Sequence, residues 1–256
     1  MPFVPSPTFH LTSPRLYISH FHAPQHNQFL VDLYTSELYT KHNKTNVDTP
    51  EKAQAQIENW MPGWHERNGY GPYVTSLRFA RDIVVEGGDS TAADNDDNEK
   101  PAALLKPGQV PIGIVTLMRG AHYTVPDCGF ALLPAYAGKG YATEAGKRII
   151  KYATDPKPSP TSEVASAASA DDDNDVPREG EGLGLEGVFG FTSSDNADSR
   201  KVCQRIGLEF RGIYPLEAFG GEMSAVFVLP GMQADLSVYG IKAARTDITV
   251  RESPGC

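Results

Sequence analysis

GFALLPAYAGKGYATEAGKRIIKYA, residues 129–153, holds the reading that decides the fold. It begins with an apolar run, passes through a turn carrying Gly138 and Gly140 around Lys139, and continues at helical spacing. Residues 128–134 predict a strand, and residues 143–153 predict a helix with Ala142, Ala145, Ile149 and Tyr152 or Ala153 on one face. A plain turn needs one glycine. Two, followed by small residues and a helix start, predict backbone that must lie close to a ligand. The first N–H groups of a helix lack intrahelical partners and carry the positive end of the dipole, so the turn is a candidate phosphate cradle; it also reads as an ordinary strand–helix turn. Two phosphate motifs are excluded. A Walker loop needs Ser or Thr after Gly-Lys and a glycine where Leu133 stands, and a dinucleotide fingerprint needs Gly or Ala where Thr143 stands.

The same alternation extends outward on both sides. Residues 15–22, 73–86, 110–118, 185–193, 208–219 and 223–231 read as strands, with 73–86 and 110–118 paired. Residues 23–36, 50–66 and 197–206 read as helices, the second stopped near Pro62 and the third ended by Gly207 in a left-handed cap. This is an α/β (α+β) pattern: a mixed, mostly antiparallel sheet flanked by helices. Apolar residues make up 40% of the 256, enough for a substantial core.

Two segments break the pattern. Residues 86–109 and 155–182 hold 14 of the 32 acidic residues and 4 of the 23 basic ones, with no aromatic residue. They are expected to be disordered, solvated insertions in one domain spanning 1–240, followed by a tail over 241–256. Without them the body is near neutral, so the net charge of −9 says little about partners. No basic stripe predicts nucleic-acid binding, and no run approaches the roughly 20 apolar residues of a membrane span. Cys128, Cys203 and Cys256 form no pattern, and no secretory signal is visible. A cytoplasmic or nuclear setting is expected. His20, His22 and His26 lack an acidic partner pattern, so no metal is expected and a structural or surface role is favoured. Trp60 and Trp64 read as packing or as the border of a pocket.

Three separated stretches, TSPRLYI (12–18), DCGFALLPAYAGKGYATEA (127–145) and NADSRKVCQRIGLEFRG (196–212), resemble the GNAT N-acetyltransferase superfamily. They are most similar to its ribosomal-protein N-terminal acetyltransferase branch, over roughly residues 10–230. The resemblance implies the GNAT fold and acetyl-CoA as co-substrate. It places the pyrophosphate on Ala137, Gly138, Lys139, Gly140, Tyr141, Ala142 and Thr143, and the pantetheine arm on backbone groups of Phe130, Ala131, Leu132 and Leu133. Ala137 stands where that branch carries a larger side chain. Lys139 either touches a phosphate or is solvated.

Direct acetyl transfer to an amine needs a base, a donor for the developing oxyanion and an acid near the leaving sulfur. Asp127, where the branch often carries Glu, is the candidate base, with a bridging water because Asp is shorter; it also reads as a plain strand-end carboxylate. Ser199 is the candidate near the sulfur or a phosphate, and also reads as a first-turn capping residue. Asn196 reads as the N-cap of that helix, with its counterpart near the cofactor arm in the family. Val202 and Cys203 occupy the helix where many members carry a tyrosine acid, and Cys203 reads as core. The acceptor is a protein N-terminus or a small molecule, and the chain a monomer or homodimer. The alternatives are a CoA-binding module without turnover, and a transferase for a longer acyl group.

Overall fold

The computed structural model describes residues 2–84, 103–157, 177 and 180–243. Eight strands form one sheet in the order β1-β2-β3-β4-β5-β6-β8-β7. They are β1 (His10–Thr12), β2 (Leu16–Ser19), β3 (Pro72–Leu77), β4 (Pro111–Met118), β5 (Asp127–Leu132), β6 (Phe189–Ser193), β7 (Glu209–Pro215) and β8 (Met223–Val228). All neighbours are antiparallel except β5 and β6. The mixed, mostly antiparallel sheet is the one the sequence pattern predicts.

Helices cover both faces. On one, α1 (Asn27–Thr35), the short α2 (Glu37–Thr40), α3 (Pro50–Ala55) and α4 (Met61–Asn68) pack Leu30, Leu33, Ala53 and Met61 against Val74 and Ile114. On the other, α5 (Tyr141–Thr154) buries Tyr141, Ala145, Ile149 and Ala153 in a core shared with Leu117, Cys128 and Phe227. Cys203 joins that core from α6 (Ala197–Arg205).

Several boundaries differ from the sequence reading. The helix expected to stop near Pro62 runs on to Asn68: a wider π turn over Gln56–Trp60 ends just before it, so Pro62 falls in the first turn of α4, where a missing N–H is tolerated. Residues 15–22 yield a strand of only four residues, and 73–86 leave the ladder after Leu77. The first acidic insertion is shorter than 86–109. Ala80 N–H donates to Ala103 C=O and Leu105 N–H to Arg78 C=O, and Leu105 packs on the core. The apolar pair Leu104-Leu105 brings this end of the insertion back to the sheet, where Leu104 bridges Phe79. The second insertion is tied at its exit, where Leu183 N–H donates to Tyr152 C=O and Leu185 N–H to Ala153 C=O. The remainder of both insertions, Cys256 and most of the 241–256 tail lie outside the described residues. Gly207 is left-handed at φ 98°, as its capping position requires.

The histidines have packing roles. His20 stacks on Phe9 at 4.3 Å and meets His65 edge-on at 5.0 Å, while His65 stacks on Phe3 at 4.6 Å. His26 Nδ1 accepts from His22 N–H. Among the described residues no group of three His, Cys, Asp or Glu is placed to hold a metal, and no helix is long and apolar enough to cross a membrane.

Burial, the first cause in each case, depresses His20 to about 3 and His26 and His65 to about 4, from 6.5. Below pH 6.5 the unfolded chain takes up protons at these positions that the folded chain refuses, so stability falls as pH drops toward 4. Asp127, raised by burial to about 6, works in the opposite sense between pH 6 and 3.8, one group against four, since burial lowers His22 as well. Urea unfolding should therefore show stability dropping between pH 7 and 5, and His20→Phe should flatten that slope by up to about 1.4 kcal/mol per pH unit. A slope unchanged by the substitution would show that His20 is not held neutral.

Candidate active site

β5 and β6 are parallel neighbours with a single register pair, Asp127 with Phe189. Beyond it the strands separate, although each remains paired on its other side: β5 with β4 over six positions and β6 with β8 over five. Leu133 N–H donates to Ile112 C=O at 2.9 Å. That bond fixes the alternation of the β4–β5 ladder. Gly129 and Ala131 turn their peptide groups toward β4, whereas Phe130 and Leu132 turn theirs toward the gap. Of the four backbone positions 130–133, two therefore offer free hydrogen-bonding groups; the Leu133 N–H is already taken.

The gap opens into a cleft of about 650 Å³. Ile114, Thr116, Gly129, Phe130 and Ala131 line it from β4 and β5, and Phe191, Ser193, Asn196 and Ser199 from the β6–α6 side. Tyr34, Tyr39, Trp60 and residues 42–47 close it from the α1–α4 layer, with Phe219, Glu222 and Met223 at the β7–β8 connection.

β5 leads through Pro134–Tyr136 into the turn before α5. Gly138 (φ 75°) and Gly140 (φ 82°) are both left-handed, a conformation that a Cβ opposes. No side chain caps α5, whose N-cap is Gly140, so its first N–H groups face outward from a turn where Gly138, Lys139 and Gly140 are exposed. This turn is held from the other end of the sequence. Glu144 Oε1 accepts from Ser13 Oγ and Arg15 N–H, and Oε2 from Arg15 Nε, each at 2.7 Å. Arg15 also donates to Lys139 C=O at 3.1 Å and covers the Tyr141 ring at 4.3 Å. The 12–18 and 137–145 stretches, far apart in sequence, are thus one structural unit.

Asp127 lies at the strand junction, half-buried, and is not part of the cleft wall. Tyr123 Oη donates to its Oδ1 at 2.5 Å, and the Tyr123 ring sits 5.3 Å from Phe191 of the wall. Burial raises the Asp127 carboxyl to about 6, against the opposing pull of the Tyr123 hydroxyl. Asn196 Oδ1 accepts from Ser199 N–H at 3.0 Å, the cap the sequence suggests, and both side chains line the cleft. The Ser199 backbone is therefore the capped group, which leaves its hydroxyl to the cleft. Cys203 is buried in the core, its thiol is pushed up to about 12 by that burial, and it is not part of the cleft wall. Trp60 reaches the cleft; Trp64 does not. Sequence reasoning missed Tyr123, Tyr34, Tyr39, Phe191, Phe219 and Glu222. They come from separate loops and elements, and no local spacing unites them.

A family model described as the acetyltransferase (GNAT) domain matches residues 15–209, and the chain belongs to that family. Among solved structures, it is similar to a protein assigned as a ribosomal-protein-serine acetyltransferase from Vibrio cholerae: TM-score 0.56, 15% identity, covering 88% of this chain and 98% of that one. It is also similar to the microcin C7 self-immunity acetyltransferase MccE in complex with acetyl-CoA and AMP (0.52, 12%, 87% and 96%). A third is RimL, a ribosomal L7/L12 α-N-protein acetyltransferase, in complex with CoA (0.51, 10%, 86% and 96%). At such identities these likenesses speak to the fold. No curated protein matches the chain at a significant level.

Glu144 is only 15% exposed and holds three donors. Glu144→Ala should lower unfolding stability by about 2–3 kcal/mol, read by urea denaturation, because the Arg15 backbone N–H and guanidinium lose their acceptor. A loss below about 0.5 kcal/mol would mean the pair behaves as an ordinary surface bridge.

Proposed function

We propose that this protein transfers an acetyl group from acetyl-CoA directly to a primary amine. The observation that carries this reading is the separation of β5 from β6, which leaves the Phe130 peptide group free in the cleft wall and turns that of Leu132 to the same side of β5. The residues present fit such a co-substrate. The Phe130 and Leu132 edge would pair with the amides of the pantetheine arm as a missing strand would. The Ala137–Thr143 turn would receive the pyrophosphate on Gly138, Gly140, Tyr141, Ala142 and Thr143 amides, with Lys139 as a mobile positive charge. When bound, acetyl-CoA supplies an activated acyl group on sulfur.

The chain's own residues then have three tasks. Asp127 takes a proton from the acceptor ammonium, through water, since it stands behind the wall and not in it. Tyr123 holds the carboxylate in place and, by donating to its charged form, keeps it ionised at neutral pH. Ser199 Oγ would pass a proton to the departing sulfur; what supports this is its place in the cleft wall on a helix start that Asn196 caps. We take residues 1–240 as the domain that does this, in the cytoplasm or nucleus, with the acidic insertions as solvated excursions, and the active unit as a monomer or homodimer.

A CoA-binding protein without turnover is the second reading. It draws on two features: α6 offers Val202 and the inert Cys203 where an acid would be useful, and Asp127 lacks direct access to the cleft.

Release of free CoA thiol in the presence of an amine panel separates the two readings. With turnover, kcat/KM should rise through a pH near 6 as Asp127 ionises, ahead of any rise from the amine itself. Asp127→Asn should abolish that limb and lower kcat at least about a hundredfold. A profile and rate unchanged by the substitution would remove Asp127 from the mechanism.

A further inference from the structure

The cleft's acceptor side is chemically lopsided. Its ionisable side chains are Tyr34, Tyr39, His42, Lys44, Cys128 and Glu222. Among the described residues Glu222 is therefore the wall's one carboxylate, and it makes no ion pair. Uncharged polar side chains such as Asn43, Asn46, Gln56 and Thr192 share the wall with an aromatic and apolar set. Tyr34 and Tyr39 stack at 4.6 Å. Phe191 meets Phe219 edge-on at 5.2 Å and lies 5.3 Å from Tyr123, whose hydroxyl holds Asp127. Trp60 borders the cleft from the α3–α4 helix, and Phe219 and Met223 from the β7–β8 connection, yet they stay 42%, 36% and 48% exposed. Large apolar side chains left in water on two segments far apart in sequence, around one opening, mark a surface that a ligand covers.

Resting on the acetyltransferase reading, we infer that the acceptor is a monocationic amine with an aromatic or bulky apolar group close to its ammonium. The single carboxylate balances one charge. A polyamine would bring two or more further charges against Lys44 and His42, and another carboxylate near the wall, Asp195, already faces His42 and Lys41. An aromatic group lies against Trp60, Phe219 and Met223, where ring contacts and apolar burial add to one another. Continuity of Phe219, Phe191 and Tyr123 carries this apolar wall to the carboxylate that takes the proton. Two sources share this chemistry: a free arylalkylamine, and a polypeptide whose first residue is large and aromatic.

The test uses the full chain with acetyl-CoA and three acceptors: tryptamine, a short peptide beginning with Phe and bearing a free α-amine, and spermidine. The expected result is kcat/KM at least about tenfold higher for tryptamine or the peptide than for spermidine, the preferred one naming the source. Trp60→Ala should raise KM for that acceptor about tenfold while leaving KM for acetyl-CoA unchanged. Met223→Ala, on a different element, should shift the same constant in the same direction. Spermidine used as well as or better than both aromatic acceptors would overturn the inference and leave the acetyltransferase reading standing. So would an aromatic preference that neither substitution affects. Acetyl-CoA binding seen by calorimetry with no turnover of either aromatic acceptor would also overturn it. Failure of the native chain to bind acetyl-CoA would overturn the acetyltransferase reading as well.

Discussion

Two parallel strands that touch at one residue pair govern this structure. Sheets gain by pairing every edge, and an unpaired strand edge inside a sheet leaves backbone groups without partners. β5 and β6 forgo that pairing beyond Asp127 and Phe189. The gap persists because each strand is held from its far side, by β4 and by β8, and because α5 and α6 fix the strand ends that diverge. What the sheet leaves open becomes a cleft with a backbone edge along it. In a member of the GNAT acetyltransferase family, that edge is the feature from which the site's other parts take their positions.

The glycine turn depends on a second constraint, a carboxylate that ties the two ends of the fold together. Left-handed glycines at 138 and 140 bend the chain so that α5 starts with its N–H groups outward. Glycine alone would leave such a turn floppy, since it loses the most conformational freedom on ordering. Glu144, one turn into α5, reaches back to Ser13 and Arg15, and Arg15 in turn holds the Lys139 carbonyl. The turn is therefore flexible in composition and fixed in place, which is what a backbone anion cradle needs.

How much of this the sequence disclosed follows the range over which each signal acts. The strand–turn–helix unit at 129–153 was legible because apolar period, paired glycines and a helix start all lie within 25 residues. The Asn196 cap was legible for the same reason, as a side chain bonding its own helix three residues on. The helix crossing Pro62 was not, because a π turn has no residue signature and overrides the usual proline stop. The status of Leu133 depends on ladder parity with β4, which a single strand cannot reveal. Asp127 was singled out as a candidate base by family resemblance. Its separation from the wall and its bond to Tyr123 were not, being products of how a loop folds back on the strand. The cleft wall was least legible. It gathers Tyr34, Trp60, Phe191, Phe219 and Glu222 from segments that meet only when the sheet is complete.

The central claim is that the free edge of β5 and the glycine turn form one continuous site for CoA. Backbone amide NMR during titration with CoA addresses it most directly, because it reads each N–H separately. The account predicts that the amides of Phe130 and Leu132 shift in step with those of Gly138 to Thr143, with one saturation curve, while Leu133, bonded to Ile112, responds less. Shifts confined to other parts of the molecule, or a glycine turn that responds while the β5 edge stays silent, would contradict it.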